Sequence, residues 1–407
     1  MRPLSTDMPW KNSSVIGERW QLVQALLRKT KSVAQICRQV RISRKTAYKW
    51  LRRFMDRGRR GLRDRSRRPQ RMPWQTHRKW VERIRRLRQR RRHWGPKKLE
   101  ARLRHRWGRG VPGARTIGRW LQRLGIARAG RRRPRRACVL RRAALTEAQR
   151  PNQVWTVDFK GWFRTGEGRR VEPLTVRDLY SRFGLGVRLL LSQSREAARG
   201  EFVKLFGQWG LPERIRVDNG SPFGSTGPAG LSQLSAWWTR LGIVVEFIRP
   251  GHPEDNGAHE QFHRVLKRET TRPVARTVRG QQHRMTCWCG HYNRERPHEA
   301  LRQRLPAELY RPSRRRYPRS LPPLKYAGGL AVRQVRQNGE IKWQGRRRFI
   351  GEAFVGQPVG LKRLRRGVWA VYFCTLLIGH LHEADAGAMR PAMYRHRRRR
   401  ARKQNGG

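Results

Sequence analysis

The stretch VWTVDFKGWFRTGEGRRVEPLTVRDLYSRFGLGVRLLL spans residues 154–191 and decides the fold of the middle of the chain. Its apolar and β-branched runs at 154–159, 171–176 and 183–191 predict three strands. Gly166-Glu167-Gly168 predicts a hairpin turn between the first two. Strands that follow one another this closely predict an antiparallel start to a sheet.

The residues that follow alternate between helical and strand patterns. A helix is predicted first, because apolar residues recur at helical spacing before a stop at Gly210 and Pro212. These apolar residues are Ala198, Phe202, Leu205, Phe206 and Trp209. A strand at 214–217, a helix at 231–241, a strand at 243–248 and a last helix after a loop at 249–256 come next. We therefore predict an α/β core with a mixed sheet flanked by helices at residues 151–312.

The charge of the chain predicts a polyanionic partner. Lys and Arg number 97 against 27 Asp and Glu, which gives a formal net charge of +70. A genome rich in G and C would explain Arg in place of Lys, but it would not explain the scarcity of acids. Nucleic acid is the partner that such a charge excess favours.

Membrane association is not expected. The most apolar segment, Val368–Leu381, is too short to span a bilayer. Five cysteines without the spacing of a disulfide framework fit a reducing compartment. We expect a cytoplasmic, nucleoid-associated protein.

Residues 11–66 carry the pattern of a helix-turn-helix. Ser32 and Gln35 predict a capping box, and Ser43 predicts the cap of a second helix. The exposed face of that helix would enter a DNA groove. Its side chains are Arg44, Lys45, Thr46, Tyr48 and Lys49. A helical hairpin that only packs is the alternative, and the basic polar face favours DNA.

Four further segments complete the predicted organisation. Residues 74–127 predict a second helical DNA-binding domain, and 128–150 a basic linker that follows phosphates. Short strands with turn glycines predict a small SH3-like β-barrel at 321–385. The Arg-rich residues 386–407 predict a disordered tail.

Three acids stand out in the predicted core. Asp158 lies within an apolar strand, Asp218 lies where a strand ends, and Glu260 lies in the first turns of a helix. A carboxylate in a half-buried strand is costly unless a cation or a donor compensates it. Carboxylates that converge can hold two hard cations, which suits an in-line attack on phosphate.

The order of the motifs resembles a known family. WTVDFKG at 155–161, DNGS at 218–221, PEDNGAHE at 253–260 and YNRERPH at 292–298 resemble the signatures of integrase-core (DDE) transposases of bacterial insertion sequences, which are related to retroviral integrases. The likeness covers nearly the whole chain, because the terminal modules fit as well.

That resemblance implies a fold and an activity. The core would be ribonuclease H-like, and Asp158, Asp218 and Glu260 would bind two Mg²⁺ ions, with Mn²⁺ as a substitute. The enzyme would bind the terminal inverted repeats of a mobile element, nick the ends and transfer the 3′-OH to target DNA. Its partners would be double-stranded DNA, at element ends and target, and further copies of the chain in a homo-oligomer.

Two features leave alternatives open within this family pattern. The gap from Asp218 to Glu260 is a few residues longer than is usual, through residues 222–228, which a surface loop absorbs. Glu254 is a rival third acid, although it precedes the predicted helix. A catalytically silent DNA-binding protein derived from a transposase is the alternative function.

The pentapeptide HEQFH at residues 259–263 matches the zinc-protease pattern H-E-x-x-H. No third protein ligand occurs at the spacing that such enzymes use, so we interpret the match as coincidence. Glu260, Arg264 and Lys267 would instead share one helical face. On that face the acid would bind metal and the two cations would meet the phosphates of a DNA end.

Overall fold

The computed structural model describes residues 14–66, 75–127, 145–249, 252–321, 323–324, 326, 328–385 and 387–392. The chain divides into two units, residues 1–76 and residues 77–407, which are described in turn.

The first unit contains three helices around a small apolar core. They are α1 (Val15–Arg28), α2 (Val33–Val40) and α3 (Arg44–Arg57). Ser32 and Gln35 form the predicted capping box, and Ser43 Oγ accepts a hydrogen bond from the backbone N–H of Thr46 at 3.1 Å. Arg41 turns the chain between α2 and α3 in the left-handed region. The two helices form the predicted helix-turn-helix.

The second unit begins with three more helices. They are α4 (Arg78–Arg90), α5 (Pro96–Trp107) and α6 (Ala114–Arg123). Their core contains Ile84, Leu99, Leu103 and Ile117, all fully buried. Glu100 accepts a hydrogen bond from the backbone N–H of Ala114 at 2.9 Å, which caps the start of α6 from a neighbouring helix.

A six-stranded mixed sheet follows. Its strands are β1 (Val154–Phe159), β2 (Phe163–Arg164), β3 (Arg170–Asp178), β4 (Gly184–Leu190), β5 (Arg214–Val217) and β6 (Val244–Phe247). The order is β2-β3-β1-β5-β6, and β4 also pairs with β3. The strands β1 to β4 pair antiparallel, whereas β5 is parallel to both β1 and β6. This is the predicted mixed sheet.

Helices cover both faces of this sheet. They are α7 (Arg195–Trp209), α8 (Gln233–Arg240), α9 (Gly257–Thr270), α10 (Val278–Glu295) and the short α11 (Pro306–Leu309). Trp155 and Val157 point into the main core with α7 and α8. Alternate residues of β1 point to the opposite face, where α9 packs, because successive side chains of a strand alternate.

The C-terminal residues form sheets. The strands are β7 (Ala331–Gln334), β8 (Glu340–Trp343), β9 (Arg346–Phe349), β10 (Pro358–Arg365), β11 (Val368–Phe373), β12 (Leu376–His382) and β13 (Arg390–Pro391). Five of them lie in the order β13-β12-β11-β10-β7, and β8 pairs only with β9 in the described part of the chain. The edge strands β7 and β13 do not pair with each other there, so the predicted closed SH3-like barrel is not confirmed.

The predicted linker and tail lie mostly outside the described residues, except for 145–150 and 387–392. Within the predicted disordered tail, Met389 is 5% exposed in the C-terminal core and β13 pairs with β12. The apolar side chain of Met389 accounts for order at the start of this Arg-rich segment. None of the described helices combines the length and apolar character needed to cross a bilayer.

Candidate active site

The strand pairing brings Asp158 and Asp218 to neighbouring positions at one edge of the sheet. Val154 pairs with Arg214 and Thr156 with Arg216, an offset of 60 residues. The same offset takes Asp158 to Asp218, which directly follows β5. Because β1 and β5 run parallel, their carboxyl ends lie at the same edge.

The other two predicted acids both affect the pKa of Asp158. Burial raises the pKa of its carboxyl to about 7, and the negative charges of Asp218 and Glu260 contribute to that rise. Burial also raises the pKa of Asp218, although the backbone N–H of Gly220 donates to its Oδ1 at 3.3 Å. Asp158 is therefore close enough to each of the other two acids to interact with it electrostatically.

Glu260 lies in the first turn of α9, and its side chain is exposed. A 3₁₀ turn at Pro253–Asn256 precedes the helix and contains the rival acid Glu254. Arg249 forms an ion pair with the nearly buried Asp255 at 2.8 Å, which ties the end of β6 to this turn. The start of α9 is thereby fixed relative to the sheet.

Two cations share the exposed side of α9 with Glu260. Arg264 and Lys267 are both exposed, and they follow Glu260 at intervals of four and three residues. This arrangement presents an acid near the sheet edge and two positive charges further along the same helix.

The other side of α9 carries the two histidines of HEQFH, and both are buried. His259 is 0% exposed and His263 is 6% exposed. The hydroxyl of Thr175 in β3 lies 2.6 Å from Nε2 of each imidazole. It also donates to the carbonyl oxygen of Asp158 at 2.9 Å. With its proton used there, the hydroxyl accepts a hydrogen bond from each Nε2–H.

Two further contacts complete this network. His259 Nδ1 lies 2.8 Å from the hydroxyl of Thr156 in β1. Nδ1 of His263 lies 3.8 Å from Asp158 Oδ2. Burial lowers the pKa of His263 to about 3 and the pKa of His259 well below its usual value, so both imidazoles are neutral. We call His259, His263, Thr156 and Thr175 the inner network.

The inner network argues against a zinc protease. Asp158, His259 and His263 could in principle hold a metal ion, since a ligand atom of each lies within 4.8 Å of the others. However, the Thr175 hydroxyl occupies the position that both Nε2 atoms share, and Thr156 engages the second nitrogen of His259. The two histidines are thus hydrogen-bonded to the strands that carry and flank Asp158. Our interpretation of HEQFH as mere coincidence overlooked this contact.

Sequence reasoning missed the threonine partners and the buried Arg177. Arg177 is 2% exposed in β3 and donates a hydrogen bond to the carbonyl oxygen of Ala258. A period-two pattern was available as a signal. Thr156 and Asp158 in one apolar strand, and Thr175 and Arg177 in another, place polar groups on one face of the sheet.

The predicted DNA-reading residues lie on α3 in the first unit. Arg44, Lys45, Tyr48 and Lys49 are exposed. Thr46 is only partly exposed, and its hydroxyl lies 2.9 Å from Ser43 Oγ at the helix cap. Because Thr46 contacts the cap of its own helix, the other four of the five predicted side chains are the ones exposed to solvent.

The acid cluster fits hard divalent cations. Carboxylate oxygens are the ligands that Mg²⁺ and Mn²⁺ prefer, and two or more of them offset the charge of the ion. Burial and the charges of the neighbouring acids raise the pKa of Asp158, and a bound cation would favour its anionic form. The chemistry of the donor set therefore fits a divalent metal ion.

Comparisons with protein families agree with this architecture. Residues 148–253 and 241–306 match two models of the "Integrase core domain", and residues 330–385 match "IS481 family transposase, C-terminal domain". Residues 18–70 match a "Helix-turn-helix domain" and residues 46–121 a "Homeodomain-like domain".

Two relatives come from insertion elements. The chain is 29% identical over 202 residues to the 31.7-kDa protein of insertion element IS407 from Burkholderia multivorans, covering 48% of this chain and 68% of that protein. It is 28% identical over 190 residues to the 39.2-kDa protein of IS476 from Xanthomonas euvesicatoria, covering 44% of this chain and 50% of that one.

Solved structures of viral integrases are also similar. The HTLV-2 integrase catalytic core domain, solved in complex with magnesium, has 13% sequence identity and a TM-score of 0.33, over 40% of this chain and 100% of that chain. A simian T-cell lymphotropic virus intasome, in complex with PP2A regulatory subunit B56 gamma, has 15% identity and a TM-score of 0.35, over 69% of this chain and 88% of that one.

The mixed sheet lies within the residues that match the integrase core domain, and the matches to helix-turn-helix domains precede it along the chain. The chain is therefore similar, part by part, to integrase-core transposases and to proteins of bacterial insertion elements.

Proposed function

We propose that the chain is an active DNA transposase that nicks the ends of a mobile element and joins the freed 3′-OH to target DNA. Asp158, Asp218 and Glu260 would together hold two Mg²⁺ ions, for which Mn²⁺ can substitute. The observation that carries the proposal is the parallel pairing of β1 with β5, which brings Asp158 and Asp218 to the same edge of the sheet. Glu260, in the first turn of α9, acts electrostatically on Asp158 as well. Carboxylates that meet in this way are suitable ligands for hard divalent cations.

When bound, the ions would supply Lewis-acid activation of the attacking oxygen and would neutralise the charge that develops on the phosphate. The chain's own residues would set the geometry. The inner network holds α9 against β1 and β3, so that Glu260 reaches the edge where Asp158 and Asp218 lie. Arg264 and Lys267 would bind phosphates of the DNA end beside the acids.

The N-terminal helices would select the DNA. Arg44, Lys45, Tyr48 and Lys49 on α3 would enter a major groove of the terminal inverted repeat, as second helices of this motif do. Thr46 would contribute mainly through its helix cap. The helical domains at residues 11–66 and 74–127, the core at 151–312 and the C-terminal sheets would then divide recognition, chemistry and backbone binding between them.

Two DNA ends must meet for an element to move, so we expect a homo-oligomer in the assembled complex. The high net charge supports binding to several DNA segments at once, because each neutralised phosphate releases counterions. Terminal residues rich in Arg would add sequence-independent affinity for target DNA.

A strand-transfer assay with labelled end DNA and Mn²⁺ tests the proposal. Wild-type protein is expected to give joined product. Asp218→Asn is expected to abolish joining and to keep end binding within about twofold, since phosphate and base contacts supply DNA affinity. Glu254→Gln is a matched control for Glu260→Gln, and only the latter is expected to stop joining.

The silent DNA-binding protein predicts a different outcome of the same assay. Wild type would then bind the ends without producing joined DNA in Mg²⁺ or Mn²⁺. Equal loss of binding and joining in Asp218→Asn would count against the metal assignment.

A further inference from the structure

Trp162 is an exposed aromatic residue that follows Asp158 closely in the sequence. It is 56% exposed, more than any other tryptophan in the described part of the chain. It lies in the short connection between β1, which carries Asp158, and β2. Gly161 precedes it with a φ of 81°, a backbone conformation that glycine adopts readily in a turn.

The guanidinium of Arg170 packs over one face of the Trp162 indole. The side chain of Arg170 lies 4.9 Å from the centre of the Trp162 ring. Arg170 is itself anchored, because its Nη2 donates to Glu172 Oε1 at 2.7 Å and Glu172 is 4% exposed. One face of the ring is therefore covered, and its 56% exposure leaves the other face open to a ligand.

Two lysines lie close to Trp162, and one of them is on α9. Trp162 lines a cavity of about 100 Å³ together with Lys160, Phe163, Leu266 and Lys267. The charge of Lys160 opposes the rise in the pKa of Asp158, so it lies near the acids. Lys267 occupies the exposed side of α9 with Glu260.

We propose that Trp162 stacks an unpaired nucleobase at the DNA end while Lys160 and Lys267 hold the adjoining phosphates. This rests on the proposed function and assigns a substrate contact within it. An open aromatic face between cations suits a nucleotide, because the ring stacks on the base and the cations meet the backbone. A base displaced from its pair at the end of a duplex exposes the π-face that such stacking needs.

The first experiment measures stacking without catalysis. End DNA carries 2-aminopurine in turn at each of the last three positions of each strand, and its fluorescence is followed as protein is added in Ca²⁺. Wild type and Trp162→Phe are expected to change the fluorescence at one position, whereas Trp162→Ala is expected to leave it unchanged. Equal changes in Trp162→Ala and wild type at every position would overturn the proposal.

The second experiment measures joining in Mn²⁺. Trp162→Ala is expected to lower the joining rate about tenfold on intact ends, and Trp162→Phe to restore most of it. On ends that are abasic at the stacked position, wild type and Trp162→Ala are expected to join equally. Phe349→Ala removes an exposed aromatic ring from the C-terminal sheet and serves as the control, which is expected to join intact and abasic ends at the wild-type rates.

The two experiments separate failure of this proposal from failure of the proposed function. If wild type binds ends without joining them, the transposase proposal fails, and the fluorescence still reports on stacking. If wild type joins and Trp162→Ala joins equally well on all ends, the stacking proposal alone is wrong.

Discussion

The Asp158 carboxyl is a partly buried acid whose charged form is unfavourable without a cation. It lies on an otherwise apolar strand, where burial raises its pKa to about 7. Its main-chain carbonyl accepts the Thr175 hydroxyl, and its side chain faces His263. The sequence motifs predicted Asp158 as a metal ligand together with Asp218 and Glu260, and that assignment stays a prediction. The surrounding hydroxyl and imidazole groups depend on the register of β1 and β3, which residue order alone does not specify.

His298 is a partly buried histidine outside the predicted metal site, and it allows the effect of burial on a histidine pKa to be tested. Its Nε2 is buried and has no hydrogen-bond partner among the described residues, and its ring packs edge-on against Tyr292. Burial, together with nearby Lys98 and Arg296, lowers its pKa to about 2. Because the folded chain keeps His298 neutral, the unfolded chain binds a proton more readily than the folded one. The contribution of neutral His298 to the free energy of unfolding is therefore complete above the pKa of histidine in the unfolded chain, near 6.5, and is lost as the pH falls below it.

We predict that His298→Phe reduces the acid sensitivity of folding. The phenyl ring keeps the aromatic packing but cannot bind a proton. Below about pH 6.5, the wild-type free energy of unfolding should fall more steeply than that of the variant, by about 1.4 kcal/mol per pH unit. Urea unfolding between about pH 7.5 and pH 5 measures the two slopes. Identical slopes would show that His298 takes up its proton in the folded state.

At the scale of elements, α9 works with two faces. Glu260, Arg264 and Lys267 lie on the exposed face, while His259, His263, Phe262 and Leu266 are buried. The helical period predicted the first set. It could not predict that the Thr175 hydroxyl in β3 would accept hydrogen bonds from both histidines. That contact depends on the angle at which α9 packs on the sheet.

We predict that the Thr175 hydroxyl positions α9 relative to Asp158. Thr175→Val keeps the shape but leaves two buried imidazole N–H groups without an acceptor, at a cost of about 1–3 kcal/mol each. The joining rate should fall about tenfold to a hundredfold, because small misplacements of catalytic groups are costly. The Mn²⁺ concentration for half-maximal joining should rise.

Thr175→Ser is the matched control for this prediction. It restores the hydroxyl and should recover most of the joining rate and the Mn²⁺ dependence. End binding by the N-terminal helices should be unchanged in both variants. If valine and serine behave alike, the hydroxyl has no positioning role.

The C-terminal strands show where element prediction fails. The strand β9 contains three consecutive arginines, which resemble a solvated turn in the sequence. Arg348 is nevertheless 3% exposed, and it donates hydrogen bonds to the carbonyl oxygens of Glu383 and Asp385. The burial of Arg348 depends on carbonyl acceptors that are distant along the chain, which the local sequence pattern does not show.

At the scale of the whole molecule, some of the scarce acids hold the second helical region against the core. Arg91 pairs with Glu295 at 2.5 Å, His105 lies 3.3 Å from Glu308, and Lys97 lies 3.6 Å from Glu299. Composition predicted a nucleic-acid partner from the net charge. It could not show that acids near the YNRERPH motif would engage basic residues of α5 and the end of α4.

We predict that the two DNA-contacting surfaces separate by their salt dependence. Arg44→Ala with Lys49→Ala should weaken binding to the inverted repeat more than binding to unrelated DNA, because these residues are proposed to read a groove. Arg264→Ala with Lys267→Ala should reduce the slope of log affinity against log salt by about 2, since each phosphate contact contributes about 0.9. Fluorescence anisotropy over a salt series measures the slopes. An unchanged slope in the α9 variant would exclude phosphate contacts at Arg264 and Lys267.

The most direct test of the account is the location of Mn²⁺ by anomalous diffraction from crystals of the protein soaked with the ion. We predict anomalous density in contact with the carboxylates of Asp158, Asp218 and Glu260, and loss of that density in Asp218→Asn. Density held by Asp158, His259 and His263 instead, or no density near Asp218 and Glu260, would contradict the claim that these three acids share the metal.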